Sequence, residues 1–317
     1  MSDWERLDAP AAVPNRSSGR GDAAMEPSIM RLRRSRNPAL AAFDAGGRAF
    51  QRRLRDLMLG AALILVPAVA LNVWITLVSV ARVESDASVP VLFDDGTTGT
   101  EDLAVFLAYV FVSATPAVVG YFAATIVIGD RFGRSSSLGA ALLSTLRRSP
   151  AVLAAWVLTH WWFIAMAALV APAGADGLTL VFFLSFLVWP ASTATLLVIP
   201  VMVGERLGPY RAAVRGWRLV KQRFLSGLGF VALSAMLAAL FGTGLSSMIP
   251  LLDVFGFLAL GDAASIVVGV SIQLAVVFIV PLVAAATAQF YIEMRVAAEG
   301  LDLAIDLDAA FADSSAR

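Results

Sequence analysis

The segment GERLGPYRAAVRGWRLVKQRF, residues 204–224, places six basic residues in a chain that is 59% hydrophobic. An apolar run ends just before it at Val203, and another starts just after it at Gly227. Within the segment, Ala213, Trp217, Val220 and Phe224 recur at i, i+4, i+7 and i+11, one face of a helix. Arg211, Arg215, Arg218 and Gln222 repeat that spacing on the opposite face, and Pro209 suits a first turn. A short basic helix between two long apolar runs predicts a cytoplasmic connection between membrane spans, which makes the fold an all-α polytopic membrane protein.

The rest of the chain extends that pattern. Six runs are long enough for the roughly 20 apolar residues a bilayer needs, at about 57–80, 103–128, 151–171, 178–203, 227–248 and 263–289. None contains Asp, Glu, Lys or Arg. Basic residues crowd the segments at 1–56, 129–150 and 204–226, with Arg295 and Arg317 at the end, whereas the alternate loops hold Arg82 alone. The positive-inside rule then places both termini in the cytoplasm. Residues 1–38 mix Pro, Ser, Gly, Asp and Arg without apolar periodicity and are expected to be a disordered basic tail. Residues 39–292 form the membrane domain and 293–317 a short cytoplasmic tail. Arginine outnumbers lysine 23 to 1, a bias typical of GC-rich genomes, so a bacterial inner membrane is the expected setting.

The basic helix has relatives along the chain. With the register moved back by 170 residues, Phe43, Gly47, Phe50 and Leu54 take the apolar positions, and Arg48, Arg52 and Arg55 form the basic stripe. Ala42, Gly46, Arg48 and Arg53 match Ala212, Gly216, Arg218 and Arg223 in identity. A fainter copy begins with GDRFG at 129–133, mirroring GERLG at 204–208. There Ser135 to Ser137 can cap a helix whose Leu138, Leu142 and Leu146 share a face, ending in Arg147 and Arg148. The expected organisation is three hairpins, each preceded by an amphipathic cytoplasmic helix. Arg48, Arg52, Arg55, Arg147, Arg148, Arg211, Arg215, Arg218, Lys221 and Arg223 are then candidate contacts for anionic lipid headgroups. Packing beneath the bundle and setting its orientation is the other reading of the same helices.

Taken together, these features resemble the membrane-domain family named after glycerophosphoryl diester phosphodiesterase. The likeness rests on AAFDAGGRAFQRRLRDLML (41–59) before the first span, PVMVGERLGPYRAAVRGWRLVKQRF (200–224) after the fourth, and QFYIEMRVAAEGLDLAIDL (289–307). It covers residues 39–307. It implies a six-span membrane unit, and no hydrolysis, because in such proteins a separate barrel performs that reaction. The flanking segments here, about 56 and 28 residues, are far shorter than the ~250 residues of a TIM-type barrel. The chain also has one histidine where that catalytic domain needs two. The middle copy departs from the pattern in being poor in charge, and Ala297 and Ala298 stand where related tails often carry basic residues.

Other candidate residues each carry two readings. His160, in THWWF, lies in the third span, where an ionisable group invites a proton-relay or headgroup role. No acidic or second histidine residue lies in any span, so a neutral imidazole bonded to Thr, Ser or a carbonyl is the alternative. Trp156, Trp161, Trp162 and Trp189 read as packing or interface anchors. Asp94, Asp95, Glu101 and Asp102 could gather a divalent cation or be a solvated loop; their spacing matches no EF-hand. Ser234, Ala238 and Gly242, four apart, suit close helix packing within the bundle. Residues 249–262 are apolar enough to lie at, or re-enter, the outer interface.

The chain lacks cysteine and shows no Walker, GxGxxG, HExxH or nucleophile-elbow pattern. The expectation is a non-enzymatic scaffold or accessory subunit with no cofactor and no nucleic-acid partner. Its partners would be membrane lipids and a membrane protein or a second copy of the chain. The alternative is a transporter or lipid-handling protein using the bundle and His160.

Overall fold

The computed structural model describes residues 35–85, 99–170, 176–255, 257 and 264–301. Among them the secondary structure is helical throughout. The order is α1 (Pro38–Arg52), α2 (Leu54–Ser85), α3 (Gly99–Arg131), α4 (Leu138–Val170), α5 (Asp176–Thr195), α6 (Val198–Gly204), α7 (Pro209–Lys221), α8 (Phe224–Val254) and α9 (Ala264–Glu299). Among the described residues, five helical stretches are long and apolar enough to cross a membrane: Leu54–Trp74, Val110–Arg131, Phe186–Gly204, Phe224–Asp253 and Val267–Glu299. They overlap the first, second, fourth, fifth and sixth expected spans. The third lies in α4, whose side chains beyond Trp162 fall outside the described residues.

Local chemistry sets the helix ends. Asn37 caps α1, its side chain accepting from the Leu40 N–H at 3.3 Å, and Pro38 follows at the first position. Ser137 does the same for α4, accepting from Ala140 at 3.4 Å. The expected middle helix is thus real but not separate: α4 runs unbroken through Pro150 into the apolar stretch. Conversely, the expected fourth span is two helices. Pro200 has no N–H to offer the Leu196 carbonyl and its ring crowds that group. Just upstream, the Thr193 and Thr195 hydroxyls bond back to the carbonyls of Trp189 and Ala191, which weakens the ladder further. The helix breaks at 196–197 and restarts as α6.

The core sits at one end of the bundle, the end that carries the basic segments. Its largest fully buried side chains include Phe122, Leu197, Leu219, Phe230, Phe290, Tyr291 and Met294. Helix α9 is its hub, packed against α1, α2, α3, α6, α7 and α8. The expected C-terminal tail therefore begins inside α9, where Met294 and Val296 are buried. Helix α1 closes onto α9 and α8. A Cβ on Gly46 would lie 2.4 Å from the Ala286 Cα, so only glycine permits this approach. Stacked rings of Phe43, Phe230 and Phe290, at 4.7 Å steps, tie α1, α8 and α9 together.

The expected packing faces hold only in part. In the α7 segment, Val220 of the expected face is buried and Ala213 and Phe224 pack partly buried against the core, but Trp217 is 44% exposed, and Ala212, Gly216 and Leu219 are buried as well. In the first turns of α4, Leu138 and Leu142 pack partly buried against the core, while Leu146 is 71% exposed and Ala141 and Thr145 are buried beside them. In α8, Ala238 is exposed and a Cβ on Gly242 would meet open space, so that small-residue stripe does not pack within the bundle. Helix α8 also extends to Val254, absorbing the start of the expected interfacial segment; residues 256 and 258–263 lie outside the described ones.

Candidate functional site

The charged residues near the buried core form two linked groups. In the larger, Glu205 follows α6 at the head of the opening segment. Arg215 Nε donates to Glu205 Oε2 at 2.9 Å and Oε1 at 3.1 Å. The Tyr291 hydroxyl donates to Glu205 Oε1 at 3.2 Å. Another Arg215 nitrogen donates to Glu299, which also accepts from Arg295 Nε at 3.0 Å. Arg295 stands 3.9 Å from Glu205 and lies over the Tyr291 ring. Two acids thus bridge two arginines across α6, α7 and α9.

Backbone geometry makes room for this group. A Cβ on Gly204 would lie 2.6 Å from the Tyr291 hydroxyl, so the glycine before Glu205 lets the phenol reach the carboxylate. Arg206 adopts φ 53, left-handed for a non-glycine residue, as the chain turns from α6 toward α7. Burial lowers the Arg215 pKa, and the hydrogen bond and charge of Glu205 with the charge of Glu299 outweigh it, so the net shift is upward. A cation raised in this way contributes stability that is complete below its ordinary pKa and is lost only above it. The arginine side of the pairing therefore stays charged at every pH a membrane protein meets.

The second group is built on the other acid of the paired motifs. Arg53, the single residue between α1 and α2, donates through Nε and an Nη to the two Asp130 oxygens, each at 2.8 Å. Asp56 accepts from it at 3.2 Å. The Asp130 hydrogen bond is the main cause that raises the Arg53 pKa, against a smaller loss from burial. Asp130 comes from GDRFG and Glu205 from GERLG, so in both motifs the acid binds an arginine beside an α1- or α7-type helix.

The ten basic candidates separate in this structure. Arg215 faces inward to its two glutamates. Arg48 pairs with Asp44 on its own helix, and Arg52 donates to the Arg48 carbonyl. Arg55, Arg147, Arg148, Arg211, Arg218 and Lys221 are exposed and Arg223 is half-buried. The residues that sequence reasoning passed over are Glu205, Asp130, Tyr291 and Glu299. A signal existed for the first two: a lone acid at the head of each basic connecting segment.

His160 engages its own helix. Its Nδ1 lies 2.9 Å from the Thr159 hydroxyl and 3.1 Å from the Trp156 carbonyl, and its ring stacks on Trp156 at 5.1 Å. Trp156 is buried and Trp161 exposed, matching packing and interface roles respectively. Asp94 and Asp95 lie outside the described residues, as do the side chains of Glu101 and Asp102. Among the described residues no cluster of His, Asp and Glu suits a metal ion.

The segments 41–59, 200–224 and 289–307 come together here: α1 on α9, and the Glu205–Arg215 segment on Tyr291, Arg295 and Glu299. No family model, curated protein or solved structure matches the chain.

Proposed function

We propose that this chain is a non-enzymatic multi-pass protein of a bacterial inner membrane that serves as a scaffold or accessory subunit. The observation that carries this reading is the ion-paired layer, in which Glu205 and Arg215, beside the neighbouring α6 and α7, join Arg295 and Glu299 of the distant α9. Charges committed to one another across α6, α7 and α9 brace these helices into a fixed platform. The proposed topology is six spans in three repeated hairpins, each led by an amphipathic helix, with both termini cytoplasmic. The likeness to the glycerophosphoryl diester phosphodiesterase membrane domain belongs to the same proposal.

Affinity capture of the full chain in mild detergent should return the same membrane-protein partner, or a second copy, in repeated preparations. Recovery of the monomer alone each time would overturn the scaffold reading. The topology has a separate check, since the chain contains no cysteine to give background. Gly96→Cys should react with an impermeant maleimide in spheroplasts and Ser137→Cys should not; the reverse pattern inverts the orientation.

The break between α5 and α6 favours a second reading, transport or lipid handling, because broken helices often line binding sites. Substrate flux or lipid movement in proteoliposomes, sensitive to His160→Ala, would establish it in place of the first.

A further inference from the structure

Helix α7 carries apolar residues on two sides. Its small-residue stripe, Ala212, Gly216 and Leu219, is buried against the bundle, where α7 meets α4, α5 and α6. Tyr210, Val214 and Trp217, half a turn away, are all exposed, Tyr210 by 72%. A helix on the water-facing surface of a protein turns polar residues away from its core. Here the surface turned away is aromatic and aliphatic, and the neighbouring stripe holds the exposed Arg211 and Arg218, with Lys221 beside it.

Three further features say what covers that surface. First, α7 is held between the ends of two apolar helices, one finishing at Gly204 and the next starting at Phe224. Second, the exposed apolar surface continues without interruption: the Trp217 ring meets Phe224 at 6.3 Å, Leu225 beside it is exposed, and Met236 and Leu240 carry the surface along α8. Third, the exposed charges of α7 are all basic, and its neighbour α4 presents exposed Leu143 and Leu146 beside Arg147 and Arg148. Tyr and Trp flanked by Arg and Lys is the composition that settles at a bilayer's headgroup boundary.

We infer that α7, with the first turns of α4, lies in the headgroup layer of an anionic leaflet. Tyr210, Val214, Trp217 and Leu225 enter the acyl boundary, and Arg211, Arg218, Lys221, Arg147 and Arg148 hold lipid phosphates. Arg215 is excluded from this role, because Glu205 and Glu299 occupy its guanidinium. Helix α1 is excluded too: Arg48 is paired with Asp44, and no aromatic stripe is exposed beside it. The inference is independent of the scaffold reading.

The experiment reconstitutes the full chain, with no other protein, in phosphatidylcholine vesicles with and without a quarter phosphatidylglycerol. Spin-labelled lipids report the preference for phosphatidylglycerol over phosphatidylcholine at the protein surface. Each headgroup-facing basic residue contributes about a fivefold preference at low salt. The triple variant Arg211→Gln/Arg218→Gln/Lys221→Gln should therefore lose at least about fivefold in preference, and Arg52→Gln, which removes an exposed charge from the excluded helix α1, should leave it unchanged. Unchanged preference in the triple variant overturns the inference. Should that variant fail to fold, the wild type decides: its preference must fall as salt rises, and a salt-independent preference overturns the inference. Brominated acyl chains must also quench a share of the tryptophan emission that disappears in Trp217→Phe. If the two proteins are quenched alike, α7 faces something other than lipid, a second copy of the chain being the remaining occupant in these vesicles, and the inference fails.

Discussion

Replacing Glu205 with glutamine keeps the size of the side chain but removes the charge on which two arginines and a tyrosine converge. The carboxylate receives one bifurcated hydrogen bond from Arg215 Nε, 2.9 and 3.1 Å to its two oxygens, and one from Tyr291. A charge-assisted bond contributes about 1.5–3 kcal/mol when desolvated. The Glu205 side chain is 12% exposed but that of Arg215 is 30% exposed, so solvent screens part of the interaction. Arg215 and Arg295 also keep Glu299, which limits the loss further. The net cost comes to roughly 2–3 kcal/mol, short of the ~3–5 of a fully buried broken pair. At ~2–4 °C per kcal/mol for a chain of this size class, the thermal midpoint should fall by about 5–10 °C. Intrinsic tryptophan fluorescence in detergent measures it, with Arg211→Gln, which removes an exposed charge, as the comparison. In a double-mutant cycle, Glu205→Gln with Arg215→Gln should cost clearly less than the two changes added. A midpoint within about 1 °C of wild type, or strict additivity, would refute the argument that this pair braces the bundle.

Three further outcomes can be checked by the same fluorescence midpoint. Adjacent glycines should respond with opposite signs: Gly46→Ala drives a Cβ into Ala286 and should cost about 1–3 kcal/mol or more, whereas Gly47→Ala, where a Cβ meets open space, should stabilise by up to about 1 kcal/mol. Asp130→Asn weakens a pair whose side chains are about a third exposed, and should cost about 1–2 kcal/mol. His160→Phe should change the midpoint by less than about 1 kcal/mol equivalent, since the Thr159 hydroxyl it leaves still donates to the Ala155 carbonyl; a large loss would mean that the imidazole has a partner beyond its own helix.

Five of the apolar stretches and the helical period of the connecting segments are legible in sequence because both depend on local composition alone. What composition cannot convey is which side of a short helix meets the bundle. The repeat of Trp217 with Val220 and Phe224 marks an apolar face in α7, and Val220 and Phe224 do pack on the core, but Trp217 turns outward and Ala212 and Gly216 are buried as well, where little side chain keeps the backbones apart. The matched identities Ala42/Ala212 and Gly46/Gly216 were the better guide, since all four are buried in the structure. Arg215 is indistinguishable from Arg211 and Arg218 by spacing. Its two partners separate it, Glu205 ten residues back and Glu299 far along the chain, and no local pattern carries the position of the second. The break before α6 was open to inference from Pro200, whereas the unbroken α4 shows that Pro150 alone does not end a helix.

The seating of α1 on α9 bears on how the protein is made. Helix α1 leaves the ribosome early, yet the surface that receives Gly46 and Phe43 belongs to Ala286 and, through Phe230, to Phe290. At ordinary synthesis rates that surface arrives on the order of ten seconds or more later. Until then the first helix waits at the membrane with its best-packed side uncovered. Chains that stall before α9 never conceal it, so they stay marked, to any protease that samples exposed apolar helices, as unfinished.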